Sequence, residues 1–172
     1  MRTLRTADLP DLRITADNVA LFGEDRFPCA IGFGGRGDKQ REGDGVTPLG
    51  RRRIHAVFYR PDRQPPPVTS SPAIALRPTD GWCDDANDRR YDQLIARPFR
   101  ASHETLWRAD GLYDIVCPLD WRASTPGGGS AIFLHCARDD FRPTAGCVAL
   151  RTEDLLSALK AMGPRDGVVV SR

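Results

Sequence analysis

Glycine and proline punctuate this chain so densely that almost no stretch is left long enough for a helix. There are 16 glycines and 14 prolines in 172 residues, and inside a helix a glycine costs backbone entropy while a proline removes a hydrogen bond. What survives between them are short apolar runs at 12–15, 18–22, 27–33, 53–60, 73–76, 112–117, 130–136 and 168–170, bounded by Asp, Asn, Gly and Pro. Runs of this length with such borders predict strands. A single window, 152–162, has convincing helical spacing. Leu155, Leu159 and Met162 form its apolar stripe, Thr152 is the predicted N-cap, Glu153 and Asp154 complement the positive end, and Gly163-Pro164 stops it. A short helical turn is also predicted over 102–108. About nine short strands and one helix predict a mainly β, sandwich-like domain. The length suits one core, so residues 1–172 are read as a single domain.

The connecting segments differ in chemistry. Residues 34–50 are glycine-rich and carry Arg36, Lys39 and Arg41, but they lack the GxxxxGK[ST] phosphate loop and no helical pattern follows. They are read either as a hairpin connection with solvated charges or as part of a substrate site. Residues 61–72 hold five prolines and predict an extended surface loop. Residues 81–92 look too polar for a core strand; Asp84 and Asp85 beside Trp82 suit either an Asx-rich turn or an ammonium-binding site. His55 is read as a partly exposed strand residue, and the neighbours His103 and Glu104 as surface residues.

Charge and cysteine usage narrow the function. A formal charge of +2, from 25 basic and 23 acidic residues, gives no broad attraction for nucleic acid or a membrane surface. No run approaches the roughly 18 apolar residues needed to insert in a bilayer, and Met1 to Pro10 shows no signal-peptide core. The five cysteines have no CxxC spacing, so neither a zinc ribbon nor a disulfide framework is indicated. No metal and no cofactor is predicted.

The chemistry concentrates at 126–150. A loop of Pro126 and three glycines leads into a β-rich run ending on His135, and a short polar loop returns to Cys147 among small residues. A thiol attacks as thiolate, and an imidazole can take its proton. Gly146 lets a carbonyl approach backbone N–H groups, and Thr144 has a hydroxyl to orient the substrate or the histidine. The plain alternative is a buried structural cysteine beside a strand-capping histidine. A rival is a zinc site of His135, Cys136 and Cys147. Cys136 is also the thiol to watch as a regulator of Cys147.

His135 followed by Thr144-Ala145-Gly146-Cys147-Val148 resembles the catalytic signature of the L,D-transpeptidase (YkuD-type) family of bacterial cell-wall enzymes. Three more segments match in order: 34–50, then Gly81-Trp82-Cys83-Asp84-Asp85, then Leu106-Trp107-Arg108 to Leu112-Tyr113-Asp114. The resemblance implies a β-sandwich-like catalytic domain of a compact branch, with Cys147 as nucleophile, His135 as base and Gly146 in the oxyanion site. It implies a peptidoglycan stem peptide as partner: its acyl group passes through a thioester to a diaminopimelate amine, to a D-amino acid, or to water. The donor bond follows either the third stem residue or L-alanine. Arg138 is the candidate for a substrate carboxylate, with Trp82, Asp84 and Tyr91 as donor-pocket candidates. Many members carry Ser-His-Gly-Cys; Ala145 replaces that second histidine here, leaving His135 alone. Such a substrate implies the periplasm, with a cytoplasmic site as the alternative. A peptidoglycan-binding module without turnover is the remaining reading.

Overall fold

The computed structural model describes residues 10–120 and 126–172. Residues 1–9, most of the stretch read for an export signal, lie outside the described ones. No helix among the described residues is long and apolar enough to cross a membrane.

The described chain is mainly β. Its strands are β1 (Leu12–Ile14), β2 (Val19–Phe22), β3 (Asp25–Ala30), β4 (Arg36–Gly37), β5 (Thr47–Pro48), β6 (Gly50–Arg53), β7 (Val57–Tyr59) and β8 (Ala73–Ala75). There follow β9 (Asp80–Cys83), β10 (Leu94–Ala96), β11 (His103–Thr105), β12 (Ile115–Pro118), β13 (Phe133–Cys136) and β14 (Val148–Leu150). The helix α1 (Thr152–Ala161) and β15 (Gly167–Val170) close it. Ten strands form one curled sheet in the order β6-β15-β1-β2-β3-β14-β13-β12-β7-β8. A smaller sheet runs β10-β9-β11, and β4 pairs with β5.

Strand alternation divides the core. Along β13 and β14, Leu134, Cys136, Val148 and Leu150 point to one side, into a core shared with Leu155, Ala158 and Leu159 of α1. Phe133 and Cys147 point to the other, with Phe58, Leu106, Tyr113 and Val116. The helix therefore supports the centre of the sheet from behind, and the opposite face is left for a site.

Five sequence expectations need correction. The strands among the described residues number fifteen rather than about nine, because pieces of two or three residues carry no readable period. Residues 102–108 are not helical: β11 pairs antiparallel with β9, Glu104 opposite Trp82, so tertiary pairing overrides local preference. Part of the polar 81–92 segment is a core strand after all, with Cys83 fully buried. Within it Trp82 Nε1 donates to Asp92 Oδ1 at 2.9 Å. Arg151, not Thr152, occupies the N-cap position without a side-chain cap bond. The Thr152 hydroxyl instead meets the Cys136 thiol. The predicted 53–60 strand is also interrupted, β6 ending at Arg53 and β7 starting at Val57; His55, outside both, is exposed with Nε2 3.6 Å from Asp120 Oδ2.

Candidate active site

β13 and β14 are parallel neighbours, with His135 opposite Ala149 and Leu134 opposite Val148. Cys147 directly precedes β14, so the period of two puts it on the His135 and Ala149 side. All three line one cavity of about 340 Å³.

Glycine-dependent packing fixes the loop that presents the thiol. Gly146 has φ +139°, and a Cβ there would lie 2.9 Å from the Val46 carbonyl oxygen. A Cβ on Gly32 would fall 1.9 Å from the Gly45 oxygen and 2.9 Å from Gly146 Cα. The segment 32–47 thus presses directly on the loop that carries Cys147. Backbone bonds hold it there, Phe33 N to Thr144 O and Thr144 N to Ile31 O, each at 2.9 Å. The Thr144 hydroxyl donates to Cys147 O at 2.7 Å and accepts from Gly146 N at 3.1 Å. Thr144 therefore shapes this loop.

Burial favours the uncharged forms of both the Cys147 thiol and the His135 imidazole. Burial pushes the Cys147 thiol up to about 12, the Glu104 carboxylate adding to the rise. Its Sγ donates to Ala131 O at 3.2 Å and accepts from Phe133 N at 3.4 Å. Burial pulls His135 down to about 4, against the Cys136 and Leu112 backbone groups. His135 Nδ1 lies 2.8 Å from Cys136 O. A carbonyl only accepts, so Nδ1 carries the proton and Nε2 holds the lone pair of a base. Among the described hydrogen bonds none joins Cys147 to His135. A thiol turned to Ala131 O must swing to engage the imidazole, a tightening common when substrate arrives.

The other predicted residues separate. Arg138 and Asp84 line the cavity with Cys147. Asp84 Oδ1 is buried without a hydrogen-bond partner among the described residues. Its neighbour Asp85 is used in a turn, accepting from Asn87 N at 2.9 Å. Trp82 packs edge-on against Phe133, ring centroids 5.3 Å apart, and lines a different depression beside His55 and Leu94. The Tyr91 hydroxyl bonds Glu42 and accepts from Gly129 N; Tyr91 does not line the cavity itself.

Three residues in this cavity escaped the sequence reading. Glu104, expected on the surface, faces the cavity and accepts from the Tyr113 hydroxyl. Burial raises its pKa against the pull of Tyr113 and Arg108. Tyr113 sits edge-on to His135 at 5.2 Å. Lys39, expected to be solvated, has a side chain only 2% exposed, with Nζ 2.6 Å from Asp44 Oδ1. Asp44 also accepts from the backbone of Gln40, Arg41 and Val46. Burial would push Asp44 up, but these donors and Lys39 outweigh it and hold it well below the usual carboxylate range. The only sequence hint was an Asp–Gly turn five residues after a lysine in a glycine-rich loop.

The zinc alternative fails on geometry. Cys136 points into the opposite core, its Sγ 3.8 Å from Ile115 O, so it cannot converge with His135 and Cys147. For the same reason Cys136 is not placed to pair with Cys147. No group of three or more metal-ligating side chains forms among the described residues.

A cavity lined by a thiol, an imidazole held neutral by burial and side chains of both charge signs suits nucleophilic chemistry on a polar substrate. Comparison with known families points the same way: the model of the YkuD family, described as an L,D-transpeptidase catalytic domain, matches residues 7–170. No curated protein and no solved structure matches the chain.

Proposed function

Because the chain belongs to the family of L,D-transpeptidase (YkuD) catalytic domains, we propose that it is a peptidoglycan L,D-transpeptidase with Cys147 as nucleophile and His135 as base. The observation carrying this reading is that Cys147 and His135 lie on one face of adjacent parallel strands and line one cavity.

The donor carbonyl sits over Cys147 Sγ. As sulfur attacks, its proton passes to His135 Nε2 and the carbonyl oxygen becomes the oxyanion beside the Cys147 N–H. Collapse expels the leaving amine, which takes the proton from His135 and leaves a thioester. An acceptor amine then attacks the thioester, His135 removing its proton, and the sulfur departs to be reprotonated. A diaminopimelate amine gives a cross-link and a D-amino acid gives exchange; water in the same step gives hydrolysis. Direct ionisation of the pair is uphill, since burial disfavours both thiolate and imidazolium. Attack and proton transfer therefore proceed together.

The charged walls support a peptide with an amine and carboxylates. Asp84 suits the diaminopimelate ammonium, its Oδ1 having no partner of its own, and Arg138 suits a carboxylate, its side chain 45% exposed at the cavity. A mature peptidoglycan substrate would put the reaction in the periplasm, and wall precursors or recycled fragments would put it in the cytoplasm.

Intact-mass measurement after incubation with stem-peptide fragments of graded length, with and without a D-amino acid, tests the reading. The native chain gains the mass of an acyl fragment and Cys147→Ala gains none; the fragment's mass identifies the donor bond, and the products separate transfer from hydrolysis. No adduct and no product under reducing conditions would reject it in favour of a binding module.

A further inference from the structure

We propose that Lys39 is the electrostatic partner of the reacting sulfur, its ammonium stabilising the negative charge that develops on Cys147 Sγ and on the acyl oxyanion beside it. The oxyanion half of this inference rests on the acyl-transfer reading above; the sulfur half rests on geometry alone.

Lys39 reaches Cys147 through space that Gly129 keeps open, and its head ends in van der Waals range of Gly146. A Cβ on Gly129, at φ +129°, would lie 2.3 Å from Lys39 Cε, and one on Gly146 would lie 3.5 Å from Lys39 Nζ. The stem therefore runs against the loop before β13 and the ammonium ends beside the residue preceding Cys147. Lys39, Cys147 and His135 line the same cavity. An ammonium has three N–H donors, and the described hydrogen bonds use one, on Asp44. Asp44 divides its two oxygens among Lys39 and three backbone N–H groups. Its charge is thus partly spent on the loop, while the lysine head remains directed at the site.

The sulfur needs such a partner. It is buried, it has no bond to His135, and its carboxylate neighbour Glu104 opposes a negative charge. The charged and titratable groups around the cavity are Lys39, paired with Asp44, and Glu42, Asp84, Glu104, Arg108, Tyr113, His135, Arg138 and Arg142. The three arginines face other carboxylates: Arg108 and Arg138 lie 2.6 and 3.6 Å from Asp110, and Arg142 lies 2.9 Å from Asp140. Lys39 is then the cation placed to offset Glu104 at the sulfur. A low-dielectric cavity strengthens that interaction relative to water.

The test is the rate of Cys147 alkylation by iodoacetamide against pH, read on the Cys147 peptide by mass spectrometry, for native protein, Lys39→Met and Asp44→Asn. Lys39→Met is expected to raise the midpoint by about one pH unit or more and to slow alkylation about tenfold at pH 8. Asp44→Asn, which keeps the ammonium and removes its counter-charge, is expected to move the midpoint down. A purely structural lysine predicts something else: loosening the loop would speed alkylation at every pH without raising the midpoint. That outcome, or an unmoved midpoint in folded Lys39→Met, overturns the proposal. Should Lys39→Met not fold, Asp44→Asn decides alone, and a midpoint that stays or rises overturns it. Alkylation needs no peptidoglycan. A shifted midpoint without any acyl-enzyme rejects the transpeptidase reading and keeps the effect of Lys39 on sulfur; an acyl-enzyme with an unmoved midpoint does the reverse.

Discussion

His135 is placed where a proton is costly in the resting fold, although the proposed reaction passes one through it. Burial lowers its pKa from 6.5 to about 4, so the unfolded chain binds that proton more readily than the folded one. Stability is full above pH 6.5 and declines as pH falls toward 4, by about 3 kcal/mol for this one group. Urea unfolding at pH 7 and pH 4.5 should reveal the loss, and His135→Gln should remove much of the difference. Cys147 acts at the other end: its thiol is raised, so its contribution is present below pH 9 and is lost as pH climbs toward 12. Gly146→Ala faces both a positive φ and the Val46 oxygen. It is expected to cost about 1–3 kcal/mol and to displace the nucleophile, seen as a lower melting temperature together with lost acyl-enzyme formation. That Cys147 and His135 would share a face was legible because one short loop joins their two apolar runs, which pair as neighbouring strands. Lys39 was not, because nothing local in a glycine-rich charged loop says that it will fold over another loop and bury its ammonium. Thr144 was legible as part of the motif, but its hydroxyl closes the loop on Cys147 and Gly146.

At the scale of elements, β13 is a partition with packing on one side and chemistry on the other. The alternation Phe133, Leu134, His135, Cys136 sends the first and third toward the site and the second and fourth toward α1. Leu159→Ala, at 1% exposure behind that partition, is expected to cost about 2–5 kcal/mol of stability. Urea unfolding checks the cost, and the pH midpoint of Cys147 alkylation should stay where it is, because the lost contacts lie on the far face. The helix was readable from its stripe and its Gly-Pro stop. The three-stranded sheet was not: β9 and β11 are held by register, Glu104 against Trp82 and His103 against Cys83, and register is set by partners rather than by local sequence. That sheet nevertheless brings Glu104 to the cavity, so missing the element meant missing the residue.

At the scale of the whole molecule, the sheet is assembled out of sequence order. β15 lies between β6 and β1, parallel to β1 with Val168 opposite Leu12 and antiparallel to β6 with Val168 opposite Arg52. Asp11 fastens this junction, accepting from Gly167 N at 2.7 Å and pairing with Arg51 at 2.9 Å. Deleting residues 167–172 would leave β1 and β6 with open edges and expose the Leu12 and Ile14 core. The truncated chain is expected to lose its cooperative thermal transition, as near-ultraviolet circular dichroism would show. A mainly β class could be read from the breakers, but this order could not, since non-local pairing leaves no periodic trace. The same order bears on biosynthesis. Until β15 has left the ribosome, β6 and β1 have no strand to join them, so the sheet can close only after residues 167–170 have been made and released from the exit tunnel.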